Sequence, residues 1–128
     1  MSGPSWFKCD PQALNDGFMG LSASERGAYM TVLNCIYLNG GPVKDAAGYF
    51  CSMLGCTPKE WASWRRTLLR LSKLRAVDIG LVPHLTNLRA EREIASYAAN
   101  VANAKRAAAA SLKARGVRPR NRLKLVDD

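Results

Sequence analysis

Any chemistry in this chain rests on four cysteines, one histidine, ten carboxylates and nineteen lysines and arginines. Cys9, Cys35, Cys51, Cys56 and His84 are the candidate metal ligands. Cys51 and Cys56 are separated by four residues, but there is no second close pair and no C-x-x-C. Structural zinc sites use tighter pairing. Small buried apolar thiols are therefore the favoured reading, and no metal is expected. Glu91 and Glu93 stand two apart on a helical pattern, on different sides, and make a poor acid/base pair. His84 follows Pro83 in a hairpin-like segment, and nothing marks a Cys–His nucleophile. Glycine patterns for phosphate loops or dinucleotides are missing. Neither an enzyme nor a cofactor is expected.

The cations are more telling. In TPKEWASWRRTLLR, Trp61, Trp64, Leu68 and Leu71 fall on one helical face, and Arg66, Arg70 and Lys73 on another, with Arg65 beside them. The tryptophans could stack on bases, but their shared face with two leucines favours core packing. The arginines suit bidentate contacts to phosphate or guanine. Glu60 is the one acid between Lys59 and Arg75, so local ion pairs cannot neutralise this face. Nucleic-acid binding is favoured over a merely solvated surface. The candidate contacts are Ser63, Arg65, Arg66, Arg70, Lys73 and Arg75. A second basic series holds eight residues with no intervening acid: Lys105, Arg106, Lys113, Arg115, Arg118, Arg120, Arg122 and Lys124. It reads equally as a phosphate-gripping arm or as a solubilising tail.

The elements that must carry these residues have clear punctuation. Residues 1–20 are rich in Gly, Pro, Asp and Asn and read as an extended arm. Ser22 and Glu25 form a capping-box pattern. Ala28, Tyr29, Val32, Leu33, Ile36 and Tyr37 then recur at helical spacing until Asn39-Gly-Gly-Pro42 stops the helix. A second helix is expected from about Asp45, its cap, to Leu54, burying Ala46, Tyr49, Phe50, Met53 and Leu54. Thr57, Pro58 and Glu60 start the third helix, and Cys56 and Trp61 are placed for a hydrophobic staple. The short glycine-containing connection before it has helix-turn-helix length. Residues 76–85 suggest a small β-hairpin turning around Asp78-Ile-Gly80, with Pro83 confining its strand to a sheet edge. From about Asn87 to Arg115 one long helix is expected, with Gly116 as its cap and a thin seam of Ile94, Tyr97, Val101, Ala104 and Ala108.

At 128 residues, 48% hydrophobic and 23% charged, the chain has the material for one folded domain with an arm or tail. A net charge of +9 attracts polyanions. MSGPSWFKCD lacks an apolar leader stretch, and the best apolar run, Ala28–Leu38, covers 11 residues. A cytoplasmic protein with reduced thiols and no membrane partner is expected.

LSASERGAYMTVLNCIYLNGGPVKD resembles the opening signature of the YdaU-type family, a domain of unknown function common in phages and prophages. Leu21, Ser22, Glu25, Gly27, Ala28, Tyr29, Leu33, Tyr37, Gly40, Gly41, Pro42 and Asp45 carry the likeness, with Trp61 and Asn87–Glu93. The resemblance implies a winged-helix domain associated with phage replication or its control. The expected fold is mainly α: a winged helix-turn-helix of three helices and a small β-hairpin over residues 21–95. An Ala/Lys/Arg-rich helix and basic tail follow over 96–128. The expected function is non-enzymatic binding of duplex DNA in the host cell. The alternative is an effector that binds a host replisome or nucleic-acid defence complex. The long helix offers a route to a homodimer.

Overall fold

The computed structural model describes residues 10–116. Their order is α1 (Pro11–Phe18), α2 (Ala23–Asn39), β1 (Val43–Lys44), α3 (Ala47–Leu54), α4 (Pro58–Arg70), β2 (Arg75–Ile79), β3 (Val82–Thr86) and α5 (Leu88–Ala114). The fold is mainly helical, with a small antiparallel sheet and a long C-terminal helix. The chain divides into two compact units at Ile94 and Ala95.

Helix α1 corrects the expectation of an extended arm through residue 20. Asp10 accepts hydrogen bonds from the Gln12 and Ala13 amides, and Pro11 occupies the first turn, where its missing N–H is harmless. Phe18 at its end meets Tyr29 edge-on, with ring centroids 6.2 Å apart, and the Arg26 guanidinium lies over the Phe18 ring, 5.4 Å from its centroid.

Both capping boxes form. The Ser22 amide donates to Glu25 Oε1 at 2.8 Å, and the Thr57 amide to Glu60 Oε1 at 2.9 Å. Each cap hydroxyl accepts in return from the glutamate amide. Gly40 and Gly55 close α2 and α3 in left-handed geometry.

Helix α2 is the centre of the first unit. Its Val32 and Ile36 are fully buried, against Phe50 of α3, Trp61 and Leu68 of α4, and Leu85 of β3. Phe50 and Trp61 stack with centroids 4.9 Å apart. Trp61 is 1% exposed, so it anchors α4 and offers no face to a base. Its Nε1 is buried and finds no hydrogen-bond partner among the described residues.

Helix α3 departs from its expected pattern. Asp45 does not cap it: the N-cap is Ala46, which has no side-chain bond. Phe50 alone is buried, whereas Tyr49 is 56% and Met53 51% exposed. With 8 residues, α3 offers only about two turns, and its packing on α2 and α4 consumes a single side.

The sheet order is β1-β3-β2, which makes β3 the central strand despite Pro83. Ile79 pairs with Val82 across a two-residue turn, and Asp78 with Pro83. In such a hairpin the pair next to the turn exchanges hydrogen bonds and the following pair does not. The missing Pro83 N–H therefore faces β1, past that strand's pairing at Val43–Leu85 and Lys44–His84. The Pro83 carbonyl on that side accepts from the Asp45 amide at 3.0 Å. The turn residues are Gly80 and Leu81, not Asp78–Gly80 as expected.

The start of α5 is tied to the first unit. Buried Asn87 accepts from the Ala90 amide and donates to the Lys73 carbonyl, both at 2.8 Å. Thr86 donates its hydroxyl to Glu91 at 2.6 Å, and Tyr37 donates to Glu93 at 2.9 Å. The two glutamates, unsuited to joint catalysis, receive hydroxyls from different elements. Burial first, and then this hydrogen bond, push the Tyr37 phenol well above its ordinary range.

Of the expected seam, Ile94 packs against the core of the first unit, whereas in the second unit Tyr97 is 44% and Val101 37% exposed. Gly116 ends the segment with positive φ, its amide donating to the Lys113 carbonyl. No described helix is long and apolar enough to cross a membrane.

Candidate nucleic-acid interface

Trp61 and Leu68 turn one side of α4 into the core, which leaves the opposite side in water. On that side Lys59, Ser63, Arg66 and Arg70 are all exposed. Their spacing of four, three and four residues keeps them on one stripe, about 16 Å long. Glu60 is turned back into the N-terminal capping box. Among the described residues, Lys59 and Arg66 make no ion pair. Arg70 lies near Glu25 of α2. The Glu25 carboxyl is held below its usual range, first by the Ser22 amide and with smaller help from Thr67 and Arg70. The stripe can therefore present two uncompensated cations, one partly compensated cation and a hydroxyl.

Two expected contacts already have partners, Arg65 an ion pair and Lys73 one long hydrogen bond. Arg65 sits beside the core edge and grips Asp45 with Nε, at 3.1 and 3.0 Å from its oxygens, and with Nη2. The Asp45 side chain is 10% exposed, so a phosphate cannot take this guanidinium without stranding a nearly buried carboxylate. Lys73 reaches the Asp16 carbonyl at the end of α1, at 3.4 Å. Arg75 is exposed at the start of β2, on the sheet face that carries Val77 and Ile79. Lys59, omitted from the expected contacts, joins the stripe. Its signal was the four-residue spacing to Ser63.

Lys105, Arg106, Lys113 and Arg115 are exposed on the second unit, where Arg106 bonds the Asn103 side chain. Arg118, Arg120, Arg122 and Lys124 lie outside the described residues, as do Trp6, Phe7 and Cys9.

A second feature of the first unit is an open groove of about 780 Å³ between α2, α3 and the sheet. Leu38, Pro42, Val43, Tyr49 and Phe50 form its apolar lining, with Lys44 and His84 at the rim and no carboxylate. Cys35 lies in it and its thiol meets Met53 Sδ at 4.0 Å. Cys51 and Cys56 occupy the two ends of the α3 cap, where the Cys56 amide donates to the Cys51 carbonyl at 3.1 Å. Burial first, then the Cys51 thiol, push the Cys56 thiol up. All three thiols are free and partly buried, so they are less enclosed than expected. Among the described residues, no three His, Cys, Asp or Glu side chains converge for a metal ion.

Comparison with curated proteins and with solved structures yields no match. A family model does match, over residues 5–95, which spans the first unit and the entry to α5. The chain belongs to the family described as "Protein of unknown function (DUF1376)".

Proposed function

We propose that this protein is a non-enzymatic, winged-helix binder of duplex DNA, acting in phage-type replication or its control. The element order helix-strand-helix-helix-strand-strand over α2 to β3, with β3 between β1 and β2, supports the winged-helix reading. The three-residue connection between α3 and α4 supports α4 as the helix that meets DNA. The observation that carries the proposal is the stripe Lys59, Ser63, Arg66, Arg70, which stands opposite the buried Trp61 and carries no carboxylate. A net charge of +9 supplies the long-range attraction, and the cations of α5 add phosphate contacts.

The test is a titration of duplex DNA at several salt concentrations. Several phosphate contacts give a log–log slope of several units. A protein with no duplex affinity at low salt removes this reading.

One observation favours a second reading, a protein-binding effector of host replication or defence machinery. The groove between α2 and α3 is lined by Leu38 at 64% exposure and by Tyr49, with Met53 beside Cys35. Exposed apolar side chains grouped in this way suit a protein segment better than a phosphate. The two readings separate cleanly: a Tyr49→Ala variant with full DNA affinity that loses a host partner supports the effector. The exposed Tyr97 and Val101 on α5 supply a surface that a second copy could cover, testable by the mass of the particle in solution.

A further inference from the structure

The β2–β3 hairpin ends in a feature that folding does not explain. Gly80 and Leu81 form its two-residue turn, with φ of 58° and 68°. Positive φ at both positions is the turn type that matches strand twist, and Asn, Asp or Gly normally fills it. A leucine there is strained by its own Cβ. Burial does not compensate: Leu81 is 96% exposed, more than any other large hydrophobic residue described. Ile79 and Val82 beside it are 48% and 41% exposed. An exposed apolar side chain held in an unfavourable backbone conformation points to something the tip must meet.

The register tells what surrounds it. Ile79 and Val82 face the same side of the hairpin as Val77, His84 and Arg75, and Lys44 of β1 joins that side. Asp78 pairs with Pro83 on the other side. The apolar apex therefore stands on a face that carries Arg75 and Lys44, while the acid that meets it, Glu91, is held by Thr86 at the far end of the hairpin. Arg75 lies about 13 Å from Ile79 along the strand.

We propose that Leu81 is an apolar wedge that enters a base step of duplex DNA from the minor groove; this rests on the DNA-binding reading above. The minor groove is about 6 Å wide, so the apex alone can enter while Arg75 stays outside, at a phosphate. Apolar wedges of this kind unstack a base step and bend the duplex. A flexible TA step yields most readily and is the preferred target. An apolar tip of only three residues, Ile79, Leu81 and Val82, also argues against a protein partner, which calls for a broader buried patch.

The experiment uses the full chain and a duplex with 2-aminopurine in a central TA step. Wild type raises the fluorescence on binding. Leu81→Gly loses that rise while its thermal midpoint equals or exceeds that of wild type, because glycine relieves the turn. Leu81→Met keeps the rise. A Leu81→Gly complex with the wild-type signal, or wild-type binding with no rise, overturns the wedge and leaves the α4 reading standing. Wild type with no duplex affinity at low salt overturns both. Binding of phosphatidylserine vesicles by wild type but not by Leu81→Gly, with DNA fluorescence unchanged, assigns the tip to a lipid surface instead.

Discussion

Arg65 and Asp45, twenty residues apart in sequence, form a two-nitrogen clamp in which both Asp45 oxygens are held. The clamp joins the α4 side to the segment between β1 and α3. It makes Arg65 part of the scaffold, while its neighbour Arg66 stays free for a ligand. Arg65→Ala strands a carboxylate that is 10% exposed. The guanidinium side is 32% exposed, which lets solvent screen part of the loss. A destabilisation of about 1–3 kcal/mol is expected. Urea denaturation of Arg65→Ala beside Arg66→Ala checks this. Arg66→Ala should remain within about 0.5 kcal/mol of wild type, and equal midpoints for the two variants would refute the assignment.

The stripe on α4 predicts the opposite balance. Arg66→Ala with Arg70→Ala leaves the fold intact and weakens duplex binding, lowering the salt slope by about two. The readout is fluorescence anisotropy across a salt series. An unchanged slope would remove α4 from the interface.

Trp61 predicts a stability effect with no direct ligand component. It is 1% exposed and stacked on Phe50. Trp61→Ala is expected to cost about 3–5 kcal/mol. Trp61→Phe should cost clearly less, since it keeps most of the packing and removes an indole N–H that lacks a described partner. Calorimetric melting of both variants decides it, and two equal losses would contradict the packing argument.

The pH dependence has two limbs. Tyr37 is raised by burial and by its bond to Glu93, so its contribution is intact below the unfolded phenol value of about 10 and is lost as pH rises beyond it. Tyr37→Phe should flatten that alkaline limb in part, because burial raises Tyr29 as well. Glu25 is lowered, chiefly by the Ser22 amide, so its contribution is present above about pH 4.3 and is lost as pH falls through the folded value. Glu25→Gln should shrink the acid limb. Denaturation midpoints measured from pH 3 to 11 test both signs.

Local signals were legible wherever a few neighbouring residues satisfy one another. Ser22 with Glu25, Thr57 with Glu60, and the glycines at positions 40 and 55 announced helix ends because cap groups are supplied within three or four residues. The periodicity of α2 and the inward turn of Trp61 followed from the 3.6-residue repeat. Asp10-Pro11 carried an equally local start signal for α1, obscured by the surrounding glycine and asparagine. The long Ala-rich helix was likewise readable from composition.

What only the tertiary structure decided was how side chains and strands from distant segments are shared. Asp45 had two possible uses, as a cap for α3 or as a partner for Arg65, and packing of α3 on α4 selected the second. Pro83 suggests an edge, but pairing with Val43 and Lys44 puts β3 in the centre and leaves the missing N–H where no ladder bond is needed. Tyr49 and Met53 fit a buried stripe by spacing, yet the core takes Phe50, with Cys51 and Leu54 packed against it, and leaves those two in solvent. Sequence periodicity names the faces of each element. Which face is buried, which charge is neutralised and which leucine is left at an exposed tip depend on contacts between segments, where burial and desolvation are set.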